Sequence, residues 1–436
     1  MQTLKFLHDN IGISKEGHLS FGGADTVKLA EKYGTPLYIT DENKIRSNCR
    51  EYKNAVYKYF GEDSLPLYAS KALCYKDIYR ILKSEGLGAD VVSGGELYTA
   101  LSVGFPAEKI YFHGNNKTRE EIVYALDQNI GGFIVDNEDE LLTIDEEAHK
   151  LGKMQDILLR VTPGIDCHTY EAVATGKVDS KFGVPIETGQ AIEFVGKALS
   201  CKNVKVKGLH CHIGSMIFDK GPFTDSAKIM LDFALEIKNK YGFVCDKMNL
   251  GGGIGVRYVE SDPVVTIDEI MHEIKDELDK LVSERGLKKP TFLFEMGRYV
   301  CAAAGMTLYT VGSVKTVNGY KNYVCIDGGM TDNPRFALYE SKYTVYNASK
   351  PEEKDEFVAD VAGRCCESGD LIGKDMRVQK FIKGDILAVC VTGAYNYTMS
   401  SNYNRVPRPA MVSVADGVDR LVIRRESYED IVKNEL

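Results

Sequence analysis

The chain contains, at residues 65–73, the stretch Leu65-Pro66-Leu67-Tyr68-Ala69-Ser70-Lys71-Ala72-Leu73, in which a short apolar, β-prone run ends at a lysine. A lysine at such a strand end lies where a strand meets a site, and partial desolvation makes its amine a better nucleophile. A nucleophilic amine is what a Schiff base to an aldehyde cofactor requires. Taken alone, the stretch also fits a solvated surface lysine.

Short apolar runs of this kind alternate with longer amphipathic runs along the first two thirds of the chain. About eight βα units in series predict a parallel (β/α)8 barrel of the TIM type, with a doubly wound open sheet as the alternative. The helical patterns cover residues 43–60, 118–128, 138–151 and 223–241. The predicted barrel strands are 37–40, 67–70, 89–92, 110–113, 132–135, 157–160, 207–210 and 247–250.

After about residue 290 the pattern changes to strands that are separated by short turns, which predicts a C-terminal all-β domain, a β-sandwich or barrel. The strands there are 291–294, 307–311, 323–326 and 386–389. We expect residues 1–34 to pack on this β domain, because a segment of that length is too short to fold alone. Residues 35–289 would form the barrel, and residues 290–436 the β domain.

Composition narrows the classes of function. The 436 residues are 44% hydrophobic and 27% charged, which is an ordinary globular balance, and the net charge of −9 argues against nucleic acid or an anionic membrane as partner. No run approaches the roughly 20 apolar residues of a membrane span, and the first residues lack the apolar core of a secretory signal. Eleven cysteines without a CxxC framework predict reduced thiols in a cytoplasmic protein.

Unusual residues fall at the predicted C-terminal ends of the barrel strands, where barrel enzymes carry their chemistry. Lys71, Asp90 and Arg160 lie at three of these ends. His210-Cys211-His212-Ile213-Gly214-Ser215 and Gly251-Gly252-Gly253 follow the last two predicted strands. A glycine run lets backbone amides approach a phosphate, although it also fits a tight turn after a buried strand.

A metal site is an open alternative at His210 and His212, because side chains two residues apart on a strand face the same way. Asp166 and His168 have the same spacing. Against a metal, His210 beside the apolar Leu209 fits a packed core histidine. The ring of His212 could instead lie on an aromatic cofactor, and we expect no metal.

The predicted β domain carries a second reactive motif. Cys365-Cys366-Glu367-Ser368-Gly369-Asp370 lies in a loop where a thiol beside a carboxylate could donate a proton, although an inert free cysteine also fits. Glu295-Met296-Gly297-Arg298 follows another apolar strand and fits a strand-end ion pair. The segment 333–339 fits a turn that enters a short ordered stretch, or a surface loop.

Taken in order, these motifs resemble one family, the alanine-racemase-fold (fold type III) decarboxylases that use pyridoxal phosphate, and within it the branch that acts on meso-2,6-diaminopimelate. The resemblance covers nearly the whole chain, from Phe21 to Asn396. Gly214-Ser215-x-Ile217-Phe218-Asp219 and Thr175-Gly176-Lys177 indicate this branch. The other motifs are Tyr68-Ala69-Ser70-Lys71-Ala72, Arg160-Val161-Thr162-Pro163-Gly164, Ser180-Lys181-Phe182-Gly183, Glu295-x-Gly297-Arg298, Cys366-Glu367-Ser368-Gly369-Asp370 and Gly393-Ala394-Tyr395.

The resemblance implies a role for each of these residues. Lys71 would form the Schiff base with pyridoxal 5'-phosphate, His212 would stack on the pyridine ring, and Glu295 would hydrogen-bond the pyridinium nitrogen. The full set implied at the cofactor is Lys71, Asp90, Arg160, His212, Ser215, Gly252, Gly253, Glu295, Gly297, Arg298 and Tyr395. The set implied at the substrate is Arg298, Arg335, Tyr339, Glu367 and Tyr395.

The implied reaction is decarboxylation of meso-2,6-diaminopimelate at its D-configured centre to L-lysine and CO₂, the last step of lysine biosynthesis. Cys366 would return a proton to the α-carbon, and a homodimer would share its active sites between subunits. The chain departs from the family pattern at Met216, Met296 and Tyr170, where glutamine, proline and histidine are usual.

Three alternatives remain open at this point. One is a decarboxylase of the same fold that acts on carboxynorspermidine or ornithine. The second is a catalytically silent protein of the same fold that regulates a partner. The third is a metal-dependent barrel hydrolase built on His210 and His212.

Overall fold

The computed structural model describes residues 6–165 and 178–436. By its internal contacts the chain divides into two compact units. The first unit is built from the residues up to Asn48, from Val256–Pro263 and from Tyr299–Leu436. The second is built from Cys49–Gly255 and Val264–Arg298.

Several residues singled out in the sequence lie outside the described residues. They are the Asp166 and His168 pair, Tyr170 and the stretch Thr175-Gly176-Lys177. Within the described residues, no helix combines the length and the apolar character that a membrane span requires.

The strands and helices follow each other along the chain in the following order. The strands are β1 (Ile11–Ile13), β2 (Leu19–Phe21), β3 (Ala24–Asp25), β4 (Leu37–Asp41), β5 (Leu65–Ala69), β6 (Gly88–Val91), β7 (Ile110–Phe112), β8 (Gly132–Val135), β9 (Gln155–Thr162), β10 (Val184–Pro185), β11 (Val204–His210), β12 (Lys247–Asn249), β13 (Thr291–Glu295), β14 (Gly305–Val317), β15 (Lys321–Ile326), β16 (Val345–Asn347), β17 (Phe357–Ala362), β18 (Leu371–Val378), β19 (Ile386–Cys390), β20 (Ala410–Ala415) and β21 (Val418–Ile423). The helices are α1 (Thr26–Tyr33), α2 (Glu42–Phe60), α3 (Lys76–Glu85), α4 (Gly94–Leu101), α5 (Arg119–Asp127), α6 (Glu138–Lys150), α7 (Gln190–Ser200), α8 (Gly221–Tyr241), α9 (Ile267–Glu284), α10 (Arg298–Cys301), α11 (Arg335–Tyr339) and α12 (Tyr428–Val432).

The second unit contains a closed parallel barrel of eight strands, in the order β5, β6, β7, β8, β9, β11, β12 and β13. Parallel pairing of β13 with β5 closes the ring, with Glu295 opposite Leu67. Its interior contains a buried cluster of side chains from five of the strands, since a barrel of this size is packed with side chains and is not an open pore. The cluster consists of Leu67, Tyr111, Ile134, Leu158 and Leu293. The predicted barrel is therefore confirmed.

Two strands were assigned to the wrong sheet by the sequence. The strand predicted at 37–40 is β4, which pairs with β14 and β20 in the first unit and not with the barrel. The strand predicted at 291–294 is β13, the last barrel strand and not the first of the β domain. All five residues of β4 are buried, and a continuous apolar run shows that a strand is covered without showing which sheet covers it.

Local signals fix several of the barrel helices. Thr118 caps α5, and Glu121 returns a hydrogen bond to the backbone of Thr118, so the two form a capping box. Thr266 and Glu269 form the same arrangement at the start of α9. Each helix therefore begins at a defined residue after its strand, and the strand-to-helix loops that carry the site keep a fixed length.

The first unit is built around a sheet in which the strands lie in the order β18, β17, β15, β14, β4, β20 and β21. Strand β19 pairs with β14 and with β16. The N-terminal strands β1, β2 and β3 form a small sheet of their own, and the N–H of Leu19 donates to the carbonyl of Ala348 at 2.8 Å. The C-terminal part of the chain is therefore mainly β-sheet, as predicted.

A buried ion pair between Lys117 and Glu140 stabilises the barrel. The ammonium of Lys117 donates to Glu140 Oε1 at 2.7 Å and to the carbonyl oxygens of Gly114 and Ile134, each at 2.9 Å. Only 1% of the Lys117 side chain and 3% of the Glu140 side chain are exposed. Burial lowers the pKa of Lys117 and raises that of Glu140, so each charge depends on its partner.

Replacing Lys117 with methionine is expected to lower the free energy of unfolding by about 3–5 kcal/mol, because Glu140 is left buried without its counter-charge. Chemical denaturation measures the loss. The matched control is Lys58→Met, whose pair with Asp268 is exposed by 58% and 52%, so its loss is expected to change stability little. Equal losses in the two variants would contradict the prediction.

Candidate active site

The carboxyl ends of the parallel barrel strands meet at one end of the barrel. Glu295 is the last residue of β13 and His210 is the last residue of β11. Asp90 lies near the end of β6, and Lys71 lies in the short 3₁₀ turn Ser70–Ala72 that directly follows β5. The structure therefore brings these predicted residues to the same end of the barrel.

The centre of this end is a buried carboxylate, Glu295. The amide nitrogen of Asn249 donates to its Oε1 at 2.6 Å, and Nε2 of His210 lies 3.3 Å from its Oε2. Nε2 of His113 lies 3.0 Å from Oε1, although the ring is not aligned for a regular hydrogen bond. Burial raises the pKa of Glu295, but His113 and His210 outweigh burial and hold the pKa well below its ordinary value. Glu295 is therefore an anion at neutral pH.

The two histidines at Glu295 pack on each other edge to face, with ring centroids 4.9 Å apart. His210 is fully buried, and burial lowers its pKa to about 4 against the opposing effect of Glu295. It is therefore neutral at pH 7, and its ring N–H can donate to the carboxylate. His210 is therefore a packed core histidine, one of the two roles that the sequence left open, and it also contacts the carboxylate of Glu295.

The atoms that His113, His210 and Glu295 could offer to a metal lie within 4.8 Å of one another. The hydrogen bonds around Glu295 indicate that its carboxylate serves as a hydrogen-bond acceptor and not as a metal ligand. Asn249 already donates to Oε1, and His210 is placed to donate to Oε2, so both oxygens act as acceptors. His212, the second member of the predicted metal pair, makes a different contact.

His212 lies in the loop after β11, partly buried. Its Nδ1 accepts the N–H of Gly252 at 3.3 Å, which places the ring proton on Nε2. Its enclosed surroundings, followed by the charge of Lys71, hold the pKa of His212 well below its ordinary value. His212 is therefore a neutral aromatic ring held in a fixed orientation.

The glycine run after β12 allows two loops to lie backbone against backbone. A Cβ on Gly252 would stand 1.8 Å from the carbonyl oxygen of Glu295. Gly253 has φ +114°, and a Cβ there would stand 2.2 Å from the carbonyl oxygen of Gly214. The carbonyl of Gly253 also accepts the N–H of Ile217 at 3.0 Å. Only glycine fits at these positions, which leaves a surface made of backbone.

Two residues of the predicted cofactor set contact each other. The buried guanidinium of Arg298 donates to the hydroxyl oxygen of Ser215 from Nε at 3.3 Å and from Nη2 at 3.2 Å. The resemblance implied Ser215 at the cofactor and Arg298 at both cofactor and substrate. Their contact places a hydroxyl and a positive charge side by side beside the glycine loops.

Gly297 lies against the turn that carries Lys71. A Cβ on Gly297 would stand 2.9 Å from the Cβ atoms of Ala69, which precedes that turn, and of Ala72, which ends it. The backbone N–H of Met296 donates to the carbonyl of Leu67 at 3.0 Å, so the two segments run in contact. Because Gly297 has no side chain, its segment can lie close against the turn that carries Lys71.

Lys71 is exposed, and its charge acts on several ionisable neighbours. Asp90 is buried, and its Oδ1 has no hydrogen-bond partner among the described residues. Burial raises the pKa of Asp90 to about 6, against the opposing effects of His113 and Lys71. Burial likewise raises the pKa of Glu96 to about 7, and Lys71 opposes it. The pKa values of Asp90 and Glu96 therefore lie closer to neutral pH than those of ordinary carboxyl groups, and the charge of Lys71 acts on both.

Arg160 is a buried cation at the same end. Its guanidinium carbon lies 4.5 Å from the centre of the Phe182 ring, and its Nε lies 3.8 Å from Asp136 Oδ1. The N–H of Gly183 donates to that same oxygen at 3.0 Å. The Ser180-Lys181-Phe182-Gly183 motif therefore fixes Arg160 in its place.

No role was predicted from the sequence for two of the residues that lie against Glu295, His113 and Asn249. His113 was noted only as the end of a strand, and Asn249 only as part of one. A usable signal existed for Asn249, because a buried asparagine in an apolar strand needs hydrogen-bond partners. Its amide oxygen accepts the N–H of Gly251 at 2.9 Å, so it ties the glycine run to Glu295.

The remaining predicted site residues belong to the first unit. Arg335 begins α11, is buried, donates to the hydroxyl of Tyr343 at 3.0 Å and lies 5.0 Å from the centre of the Tyr258 ring. Tyr339 ends the same helix and is partly exposed. Tyr395 is partly exposed with φ 63°.

The loop that contains Cys366 and Glu367 is held by one buried aspartate. Asp370 accepts the backbone N–H of Cys365 and that of Met330, each at 2.6 Å. Cys366 and Glu367 are exposed, and the backbone N–H of Cys366 donates to another side chain, Asn404 Oδ1, at 2.8 Å. Burial, with Asp370, raises the pKa of the Cys365 thiol to about 11.

The residues at the barrel end fit pyridoxal phosphate by their chemistry. Lys71 offers a primary amine for the aldehyde, and the anionic Glu295 offers an acceptor for a ring N–H. His212 offers a flat neutral ring. The backbone surface of the glycine loops, with Ser215 and Arg298 beside it, offers a site for a phosphate.

The chain matches two family models. The pyridoxal binding domain of the pyridoxal-dependent decarboxylases matches residues 42–302. The C-terminal sheet domain of the pyridoxal-dependent decarboxylases matches residues 243–393.

Known proteins of similar sequence and structure agree with these models. The diaminopimelate decarboxylase of Bacillus subtilis (strain 168) is 44% identical over 99% of this chain and 98% of that enzyme. The diaminopimelate decarboxylase of Bacillus methanolicus is 45% identical over 97% of each chain. The crystal structure of the diaminopimelate decarboxylase of M. jannaschii in complex with L-lysine is similar with a TM-score of 0.91, at 36% identity and 98% coverage of both chains.

Proposed function

The chain belongs to the pyridoxal-dependent decarboxylases, and we propose that it removes CO₂ from the D-configured centre of meso-2,6-diaminopimelate, which leaves L-lysine. The observation that carries the reaction class is the ionised Glu295, held at the same barrel end as Lys71. The choice of substrate rests on the relatives, which are similar over almost their whole length.

Pyridoxal phosphate, when bound, supplies the sink for the electron pair that remains at the α-carbon as CO₂ departs. Lys71 would hold the cofactor through its amine. Glu295, kept anionic by its neighbours, would accept a hydrogen bond from the ring nitrogen and favour its protonated form. The neutral ring of His212 would cover one face of the pyridine, and Asp90 and Arg160 would set the charge around it.

Two further groups of residues would bind the ends of the reactants. Ser215, Gly252, Gly253 and Tyr395 would hold the phosphate. Guanidinium groups suit carboxylates because they donate two parallel hydrogen bonds, so Arg298 and Arg335 would bind the distal carboxylate of the substrate. Tyr339 and Glu367 would complete that site, with Glu367 at the distal ammonium.

Decarboxylation requires no base to remove a proton, only an electron sink, an orientation and a final acid. We assign the acid to Cys366, whose exposed thiol is next to the carboxylate of Glu367. The buried Asp370 holds the backbone of this loop from within, which would keep the thiol in a defined position.

The substrate assignment is tested with the purified protein loaded with pyridoxal phosphate. We expect L-lysine and CO₂ from meso-2,6-diaminopimelate, with kcat/KM for ornithine lower by about 10⁴-fold, because a buried guanidinium such as that of Arg335 is penalised when the ligand brings no carboxylate to it. Comparable values for ornithine or carboxynorspermidine would assign the chain to a neighbouring branch. Cofactor binding without turnover of any of the three would favour the regulatory alternative.

We also propose a cytoplasmic homodimer in which each active site draws residues from both subunits. The family resemblance supports the shared site, and the ten described cysteines, all free thiols, support a reducing compartment. In this arrangement Cys366 of one subunit serves the Lys71 of the other.

Mixing inactive Lys71→Ala protein with inactive Cys366→Ala protein is therefore expected to restore activity. After random subunit exchange about half of the dimers are mixed, and each has one intact site of two, so about a quarter of native activity should return. Each variant mixed with itself is the control. Zero recovery, with exchange shown by an independent label, would refute the shared site.

A further inference from the structure

The family pattern gave no role to His113, whose Nε2 lies 3.0 Å from Oε1 of Glu295. We propose that His113 is a positioning residue that holds Glu295 through Oε1 and thereby sets the protonation of the ring nitrogen of the bound cofactor. This inference rests on the proposed function, because it assigns Glu295 to the ring nitrogen.

The ring of His113 is held in one orientation. The residue directly follows β7, and its backbone N–H donates to the carbonyl of Val91 at 2.7 Å. Only 8% of its side chain is exposed, and the edge-to-face contact with His210 fixes the plane of the ring. A buried ring that is fixed by backbone and neighbour can hold the group it faces.

Three strands hold the carboxylate of Glu295 from three sides. Asn249 on β12 and His113 after β7 lie at Oε1, while His210 on β11 lies at Oε2. An ionised carboxylate offers about four acceptor positions, and Asn249 and His210 each occupy one, on Oε1 and Oε2. Because His113 lies against Oε1, the more open oxygen is Oε2, and it is the place for the N–H of a ring nitrogen.

His113 is also close to the second buried carboxyl of the site, Asp90. The interaction with His113 lowers the pKa of both Asp90 and Glu295, so it opposes the burial that raises each. Without His113, two buried carboxyls would share the remaining positive groups. The other ionisable groups that interact with Glu295 are Tyr52, Arg160, His210, Cys211 and His212.

Three variants test the proposal. His113→Leu removes the ring nitrogen, whereas His113→Gln keeps an N–H donor of similar reach. His272→Gln is the matched control, because His272 is 55% exposed on the barrel helix α9. For each, we would measure the Kd for pyridoxal phosphate by equilibrium dialysis, the pH midpoint of the absorbance of the bound cofactor, and the Tm.

His113→Leu is expected to weaken cofactor binding by about 10- to 100-fold, the loss typical of a contact with a charged group. It should also shift the pH midpoint of the cofactor absorbance by about half a unit or more, since a loosened Glu295 favours the protonated ring less. His113→Gln should stay within about threefold of the native Kd, and the control should change neither quantity.

Two results would overturn the inference. One is a change in Tm alone, with native Kd and pH midpoint in both variants, which would make His113 a structural residue. The other is a glutamine variant as impaired as the leucine variant. If the native protein itself fails to bind pyridoxal phosphate, the proposed function fails instead, so the two failures are distinguishable.

Discussion

Replacing Lys71 with alanine is expected to lower kcat/KM for meso-2,6-diaminopimelate by about 10³-fold or more and to remove the absorbance of covalently held cofactor. A Schiff base with the aldehyde carbon requires a primary amine. Lys71 is the lysine at the strand end, and its charge lowers the pKa of both Asp90 and His212. Steady-state kinetics and the absorbance spectrum of the purified variant measure both effects.

The control for this prediction is Lys76→Ala, an exposed lysine at the start of α3, which should keep native kinetics and absorbance. Borohydride reduction of the native protein, followed by peptide mapping, should fix the cofactor on the peptide that contains Lys71. Label on a different lysine would refute the assignment, and so would an unchanged spectrum in the Lys71→Ala protein.

The sequence predicted the class of fold because alternation of strands and helices is a local pattern. It could not assign β4 and β13 to their sheets, because sheet membership depends on partners that are distant in the chain. Strand β4 pairs with β14 and β20, more than two hundred and sixty residues later. Closure of the barrel by β13 and β5 likewise joins residues 293–295 to residues 65–67.

In the candidate site too, local sequence patterns predict some residues and not the contacts between residues that are distant in the chain. Lys71, His212, Glu295 and the glycine run stand out in the sequence because each belongs to a short motif with its own chemistry. The contacts of Glu295 with His113 and Asn249 join three strand ends that lie far apart in the chain. These contacts exist only once the barrel has closed, so no local pattern predicts them.

The contact between Arg298 and Ser215 is another that no local sequence pattern predicts. The resemblance implied both residues at the cofactor, but it did not predict that the Arg298 guanidinium donates to the Ser215 hydroxyl at 3.2 and 3.3 Å. Met216, which departs from the family pattern, follows Ser215 with φ 62°. A positive φ at a residue other than glycine is uncommon, so the backbone at this turn is held by its surroundings.

Glu295→Gln is expected to lower kcat by about 10²- to 10³-fold, the loss typical of removing one preorganised charged group from an active site. Glutamine keeps the size of the side chain and an acceptor oxygen but loses the charge that favours a protonated ring nitrogen. Steady-state kinetics give kcat, and native Tm values with retained cofactor would show that the loss is one of chemistry.

The pH dependence provides a sharper test of the charge on Glu295. Its pKa lies well below the ordinary value, because His113 and His210 outweigh burial, so the carboxylate keeps its charge throughout the neutral range. The stabilisation that the charge gives the folded barrel is present above the unfolded pKa of about 4.3 and is lost as the pH falls towards the lower folded value. Over the pH range in which the absorbance of the bound cofactor does not change in either protein, the ratio of native to Glu295→Gln kcat should therefore stay constant between about pH 6 and 9. A ratio that changes with an inflection under this condition would mean that Glu295 itself titrates there, and that its two histidines do not hold it as an anion.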